Sequence, residues 1–112
     1  MKVKEIMEKL DLRLAAGSSG LEGEIKDVYI SDLLSWVMAH AQKHSAWITI
    51  QTHPNVIAVA SLLELSCVII PENADINEET LKKADEESIP VLVSDANGYN
   101  ICCKLYDLMK DK

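Results

Sequence analysis

Residues 67–80 read CVIIPENADINEET, and the order of apolar and polar residues in this stretch decides the fold class. Its first four residues are apolar and mostly β-branched, which is typical of a short buried strand. A polar loop then leads to Asn77, a favourable helix N-cap, and Glu78 and Glu79 follow at the positive end of the predicted helix. A buried strand that runs through a loop into a capped helix indicates a sheet covered by crossover helices.

The same alternation of β-branched runs and helical periodicity extends over the rest of the chain. Strands are predicted at residues 12–16, 23–30, 47–51, 67–70 and 89–93. Helices are predicted at residues 3–10, 31–44 and 97–109, and two more begin near Pro54 and Asn77. The linker between the first two strands is too short for a parallel crossover, so the first strand is free to pair antiparallel. The prediction is a single α/β domain over residues 1–112, with three α/β/α layers and a mostly parallel sheet of about five strands.

The helix predicted over residues 31–44 is expected to begin at Ser31 or Asp32, because both are favourable N-caps. Its inward-facing residues are expected to be Leu33, Leu34, Trp36, Val37 and Ala41. His40 and His44 have the spacing of a helical metal pair but lack the HExxH signature. We therefore expect His40 to be a histidine packed in the core.

Composition and charge exclude several classes of function. The 112-residue chain has a formal net charge of −7 and no long cluster of Lys and Arg, so nucleic acid is not an expected partner. Its apolar runs fall short of the ~20 residues needed to cross a bilayer, and its first residues lack the apolar block of a secretory signal. No membrane partner and a cytoplasmic location are therefore expected. The three cysteines show no CxxC spacing, which predicts free thiols, no metal site and no cofactor.

Polar residues follow four of the predicted strands. In open α/β sheets ligands bind beyond the carboxyl ends of the strands, because loops and helix N-termini converge there. The candidate binding residues at this edge are Ser31, Asp32, Thr52, His53, Asn55, Asn73, Ser94 and Asp95. Helix capping by itself explains many polar residues at such turns. His53 is the most informative of them, because the field at a helix N-terminus favours the neutral form of an imidazole, which can bind a ligand or accept a proton.

Three stretches of the chain resemble the DRTGG domain family. They are residues 20–25 (GLEGEI), 28–34 (VYISDLL) and 47–55 (WITIQTHPN), and residues 68–70 and 89–92 fall where that family has its two later strands. The family is similar to the N-terminal domain of HPr kinase/phosphorylase, and its members also occur beside CBS domains and within some phosphotransacetylases. The resemblance implies a stand-alone bacterial member with a regulatory rather than a catalytic role.

The sequence departs from the two motifs that name this family. Residues 52–54 read THP where the family has Gly-Asp-Arg, and residues 71–73 read PEN where it has Thr-Gly-Gly. The missing Arg removes a bidentate partner for an anion, and the missing glycines prevent close approach of the backbone. We therefore expect a phosphate ligand to bind less well here than in members that keep both motifs.

The leading hypothesis is a non-catalytic regulatory or sensor domain. It would bind a small metabolite or nucleotide at the carboxyl edge of its sheet and report to an unidentified protein partner. A homodimer is expected, because Trp36, Trp47 and the apolar stretch of residues 56–65 offer more apolar surface than so small a chain buries alone.

Two alternatives remain open at the level of sequence. The first is a small phosphotransfer or hydrolytic enzyme that uses His53 with Asp95 or Asp32 as its proton-handling pair. The second is a protein-interaction scaffold associated with an iron-hydrogenase redox system, because some stand-alone relatives of the family are encoded near such genes.

Overall fold

Five strands and five α-helices make up the fold within residues 1–110, the part of the chain that this computed structural model describes. The strands are β1 (Arg13–Ala16), β2 (Asp27–Ile30), β3 (Ser45–Ile48), β4 (Cys67–Ile70) and β5 (Val91–Val93). The helices are α1 (Val3–Lys9), α2 (Leu34–His40), α3 (Asn55–Leu62), α4 (Glu78–Glu87) and α5 (Gly98–Met109). From β2 onward strands and helices alternate, as predicted.

The strands form one sheet in the order β1-β5-β4-β3-β2. β2, β3, β4 and β5 run parallel, and β1 pairs antiparallel with β5 so that Arg13 lies opposite Val93. This confirms the predicted α/β class, the mostly parallel sheet and the antiparallel first strand. β1 and β2 are the two edges of the sheet, because each has a single neighbouring strand.

Helices cover both faces of the sheet, which confirms the three predicted layers. On one face, α2, α3 and α4 contribute Val37, Val56, Ile57 and Ala84 to a core with Trp47, Val68 and Ile70 of the sheet. On the other face, α1 and α5 contribute Val3, Ile6, Ile101 and Leu105 to a core with Ile48, Ile69 and Leu92. Two cores on opposite faces of the same strands explain why β3 and β4 are buried along their whole length. None of the helices within residues 1–110 has the length and apolarity that crossing a bilayer requires.

The prediction for α2 was wrong in several respects. The helix begins at Leu34 rather than at Ser31 or Asp32, and its N-cap, Leu33, makes no side-chain cap hydrogen bond. It ends at His40 because Ala41 is extended, so His40 and His44 do not lie on one helical face. Val37 is fully buried as predicted, whereas Leu33 and Trp36, expected inside, are 61% and 55% exposed.

His40 is exposed rather than packed in the core. Its ring stacks on Trp36 with centroids 4.3 Å apart, and its Nδ1 lies 2.9 Å from the Trp36 carbonyl oxygen. The helix therefore buries a narrower stripe than its apolar composition suggests, and an aromatic pair is left on its outer side.

Other boundaries differ from the sequence prediction by a few residues. β3 covers Ser45–Ile48 instead of residues 47–51, because the Ile50 N–H donates to the Asp32 carboxylate at 2.9 Å rather than continuing the ladder. β2 begins at Asp27, later than predicted. The predicted cap Asn77 is confirmed, because its side chain accepts the N–H of Glu79. Asn97, predicted as the first residue of the last helix, is its N-cap instead and accepts the N–H of Asn100.

The turn between β1 and β2 is closely packed against the segment that leads into β5. Gly17 has a φ of +80°, and a Cβ added there would lie 2.0 Å from the Ile89 carbonyl oxygen. Its N–H donates to the Asp85 carboxylate at 2.7 Å, which fixes the turn to α4. Only glycine combines this backbone conformation with so close an approach.

Gly17→Ala should therefore reduce the free energy of unfolding by at least about 2 kcal/mol, because it adds both backbone strain and a steric clash. Urea denaturation followed by circular dichroism measures this loss. The exposed neighbour Ser18 is the matched control, and Ser18→Ala should stay within about 0.5 kcal/mol of the wild type. Equal stability of the two variants would contradict the packing described here.

The three cysteines are free thiols, as predicted. Cys67 lies inside β4, and burial raises the pKa of its thiol to about 12. Cys103 is exposed on α5, and Cys102 is half-buried beside it. Since the thiolate is the reactive form, these positions should differ widely in reactivity.

Titration of the folded protein with a thiol reagent at pH 8 should label Cys103 first and leave Cys67 unlabelled. Labelling of Cys67 should require unfolding, because its pKa and its burial both keep it from reacting. Mass spectrometry of the labelled peptides measures the order. Rapid modification of Cys67 in the folded protein would contradict its position in the core.

Candidate functional site

The carboxyl ends of β2, β3, β4 and β5 meet at one edge of the sheet because these strands are parallel. β1 runs the other way, so its first residue reaches the same edge. Arg13, the chain's only arginine, therefore lies beside the end of β5. This places a permanent positive charge among loops whose other charged groups are mainly acidic.

A cleft of about 390 Å³ opens at this point, and Asp11, Arg13, Asn73 and Asp95 line it. We call it the Arg13 cleft. The Arg13 guanidinium donates from Nη2 to the Asn73 side-chain oxygen at 2.9 Å. All four side chains belong to exposed residues, so a ligand could reach each of them from solvent.

Main-chain hydrogen bonds between the loops after β4 and β5 hold this cleft in shape. The Glu72 N–H donates to the Ala96 carbonyl oxygen at 2.9 Å, and the Asn73 N–H donates to the Ser94 carbonyl oxygen at 2.8 Å. Glu72 and Asn73 both have positive φ, at 61° and 50°. This conformation costs about 1–2 kcal/mol for a residue with a Cβ, so the hydrogen bonds stabilise a strained turn that presents Asn73 to the cleft.

Asp32 lies in a second, smaller cleft of about 190 Å³ at the carboxyl ends of β2 and β3. Its Oδ1 accepts the Thr49 hydroxyl at 2.8 Å and the Ile50 N–H at 2.9 Å. The carbonyl oxygen of the preceding residue, Ser31, accepts a hydrogen bond from the indole N–H of Trp47 at 2.9 Å. The Asp32 side chain thus bonds to the residues that follow β3 instead of capping α2, and the Ser31 hydroxyl oxygen accepts the Leu33 N–H at 3.3 Å, ahead of the first helical residue.

The predicted residues after β3 lie elsewhere. The Thr52 carbonyl oxygen accepts the buried Thr80 hydroxyl at 2.6 Å, which ties this loop to α4. His53 is exposed, and its Nδ1 accepts the N–H of Asn55 at 3.1 Å, so the ring acts as a local cap at the start of α3. Within residues 1–110, His53 lines neither cleft and makes no hydrogen bond to Asp95 or Asp32.

The eight predicted residues therefore divide into three groups. Asn73 and Asp95 share the Arg13 cleft, and Ser94 shapes it through its carbonyl oxygen. Ser31 and Asp32 belong to the junction between β2 and β3. The third group, at the start of α3, is Thr52, His53 and Asn55.

Sequence reasoning missed Arg13 and Asp11 because both precede a strand instead of following one. A signal was nevertheless present. An antiparallel first strand must begin where the parallel strands end, so its amino end belongs to the same edge as their loops. The chain's single arginine is the first residue of this strand, so it could have been assigned to the carboxyl edge from the sequence.

The charges in the Arg13 cleft define the ligands that suit it. One guanidinium can hold a carboxylate or a single phosphate group, whereas two carboxylates accept hydrogen bonds from hydroxyl or amino groups. The formal balance of one positive and two negative charges disfavours a polyanion that carries no donors of its own. A ligand with several hydroxyl or amino donors and few negative charges is the best match.

Comparison with known proteins relates this chain to a solved structure but to no protein-family model. No protein-family model matches this chain, and no curated protein does. Its fold is similar to a solved structure of the CBS and DRTGG domains of the regulatory region of Clostridium perfringens pyrophosphatase, complexed with the activator diadenosine tetraphosphate. The TM-score is 0.74 at 12% sequence identity, over 93% of this chain and 45% of the other. The chain thus spans less than half of that regulatory region, and the likeness establishes the fold.

Asp32→Ala should lower the free energy of unfolding by about 1–2 kcal/mol, because the Thr49 hydroxyl and the Ile50 N–H both lose their acceptor. Asp32→Asn is the matched control, since its side-chain oxygen can still accept both bonds, and it should cost less than half as much. Chemical denaturation of the two variants measures the difference. Equal losses would show that Asp32 does not act through these hydrogen bonds.

Proposed function

We propose that this chain is a single, DRTGG-like, non-catalytic regulatory domain that binds a small metabolite or nucleotide at the carboxyl edge of its sheet. The observation that carries the proposal is the Arg13 cleft, where a guanidinium and two carboxylates surround an open volume beside a strained but well-bonded turn. The similarity of the fold to a regulatory region solved with a nucleotide activator supports the same role. We place the domain in the bacterial cytoplasm as a homodimer that reports to a protein partner.

The ligand that we propose contains a nucleoside or a comparably hydroxylated group. The carboxylates of Asp11 and Asp95 would accept its hydroxyl or amino donors, while Arg13 would hold one negative group. Asn73 already bonds to Arg13, so it fixes the direction of the guanidinium before a ligand arrives. The family motifs missing at residues 52–54 and 71–73 are thereby replaced by one arginine from a different strand.

The enzyme hypothesis receives no support from the geometry around His53. The imidazole Nδ1 is engaged by the Asn55 N–H, and neither Asp32 nor Asp95 is bonded to the ring. Asp32 is itself occupied by Thr49 and Ile50. No proton-handling pair of the kind required for general acid–base catalysis is assembled at His53 among the described residues.

A thermal-shift titration with adenosine, AMP and diadenosine tetraphosphate tests the proposal. At a hundredfold its dissociation constant, a bound probe should stabilise the wild type by about 2.7 kcal/mol. Arg13→Gln should reduce the shift given by AMP more than the shift given by adenosine, because it removes the partner of the phosphate. Asp95→Asn should reduce both shifts, because it weakens an acceptor for hydroxyl or amino donors.

Asp75→Asn is the matched control for Asp95→Asn. Asp75 is exposed on the loop after β4 but does not line the cleft, so its substitution should leave every shift unchanged. Absence of a shift with all three probes would favour the scaffold hypothesis over ligand binding by nucleosides. A shift that survives both cleft substitutions would place the ligand elsewhere on the protein.

A further inference from the structure

β2 is the open edge of the sheet. It pairs with β3 along its whole length and has no strand on its other side among residues 1–110. Alternate N–H and C=O groups of an edge strand point outward and can pair with another strand. β2 contains no proline, and its last residue, Ile30, is 54% exposed. The Asp27 carboxylate accepts the Val28 N–H at 2.8 Å, so a partner strand that pairs with Val28 would have to displace this side chain.

A groove of about 480 Å³ runs beside this strand, between β2 and the second half of α5. Val28 and Ile30 line it from the strand, and Cys102, Leu105 and Tyr106 line it from the helix. Tyr106 is 69% exposed, and Tyr99, two helical turns earlier and therefore on the same stripe of α5, is 75% exposed. Apolar surface thus flanks the open edge on the face of the sheet that α5 covers.

Apolar surface also flanks the edge on the opposite face, where α2 lies. Leu34 and Met38 line a groove between α2 and α3. Successive residues of an α-helix are rotated by about 100° around its axis, so Trp36, two residues from each of them, lies about 160° around the helix from that groove. α3 lies on the side of α2 that is nearer the middle of the sheet, because α2 follows the edge strand β2 and α3 follows β3. The opposite side of α2, which carries Trp36, therefore faces the open edge. Leu33 shares this side of the helix, and the exposed His40 ring stacks on Trp36 there.

We infer that a second copy of this chain docks on the β2 edge, with the two β2 strands antiparallel across a two-fold axis. This interface deepens the homodimer of the proposed function and rests on that part of it, but it does not depend on the ligand. The two sheets would join into one continuous sheet. The two α5 helices would face each other on one face of this sheet, and the two α2 helices would face each other on the opposite face.

The charges along the edge suit an antiparallel arrangement. Lys26, Asp27 and Lys110 line the groove at the amino end of β2, and Lys110 pairs with Asp107 at 3.5 Å, which leaves Lys26 as the lysine of this groove without a salt bridge among residues 1–110. Asp32 and Glu72 line the cleft at its carboxyl end. Antiparallel pairing sets Lys26 of each copy beside Asp32 and Glu72 of the other, twice by symmetry. A chain with a formal net charge of −7 would otherwise repel a second copy of itself.

The distribution of apolar surface favours a second copy over an extended peptide. A single added strand would cover the edge and part of the groove but would leave Trp36 in water, whereas a second copy brings its own α2 to cover it. Trp36, Tyr99 and Tyr106 together offer on the order of 400 Å² of exposed side chain. That is about half of the ~800 Å² per partner that stable interfaces bury, and Leu33, Ile30 and the groove add to it.

Sedimentation equilibrium of the full chain at micromolar concentrations tests the inference. The wild type should be a dimer, and Ile30→Glu and Tyr106→Glu should each raise the dissociation constant roughly 30-fold or more, because each places a charge in the apolar interface. Leu62→Glu is the matched control. Leu62 is as apolar and 68% exposed, but it lies on α3, away from the β2 edge, so its substitution should leave the dimer intact.

Hydrogen exchange of the wild type provides a test that does not depend on the folding of a variant. Amides of residues 27–31 should exchange more slowly as the protein concentration rises through the dimer transition. Unchanged exchange in that segment would overturn the β2 interface. The same holds if Leu62→Glu abolishes the dimer while Ile30→Glu and Tyr106→Glu keep it. Either result would leave the homodimer itself in place. A strictly monomeric wild type would overturn both, while the thermal-shift titration decides ligand binding separately.

Discussion

The antiparallel pairing of β1 with β5 is the constraint on which the rest of the structure depends. It gives β5 a neighbouring strand on both sides and leaves β2, at the far end of the order, as an open edge of the sheet. It also turns the amino end of β1 toward the carboxyl ends of the parallel strands, which carries Arg13 to the loops that hold Asn73 and Asp95. The candidate site therefore follows from the direction of this four-residue strand, and the open edge at β2 follows from its pairing with β5 rather than with β2.

The carboxyl edge combines rigid backbone with solvent-exposed side chains. Two main-chain hydrogen bonds join the loops after β4 and β5, and the Asp32 carboxylate joins β2 to the residues that follow β3. These bonds hold the edge in shape without using the charged groups of the Arg13 cleft, apart from the bond between Arg13 and Asn73. An edge that is fixed in shape loses little conformational entropy when a ligand binds, which suits a domain that reports occupancy.

Sequence reasoning succeeded where local and tertiary preferences agree. β4 was predicted to the residue, and Asn77 caps its helix as expected, because an apolar run or an Asn beside a helix start has one favourable arrangement. It failed at α2, where Ser31 and Asp32 are good caps in isolation. The Asp32 carboxylate bonds to Thr49 and Ile50, just beyond β3, and these partners lie too far along the chain for a local pattern to reveal.

The sequence by itself determined the class of the fold, the order of its elements and the set of polar turns, because each of these is encoded by the periodicity and capping of neighbouring residues. Only the tertiary structure decided which of those turns share a cleft and which apolar side chains stay outside. Strand order and direction set these outcomes through hydrogen bonds between distant segments. Asn73 and Asp95 therefore meet at Arg13, His53 lies apart, and Trp36 remains exposed.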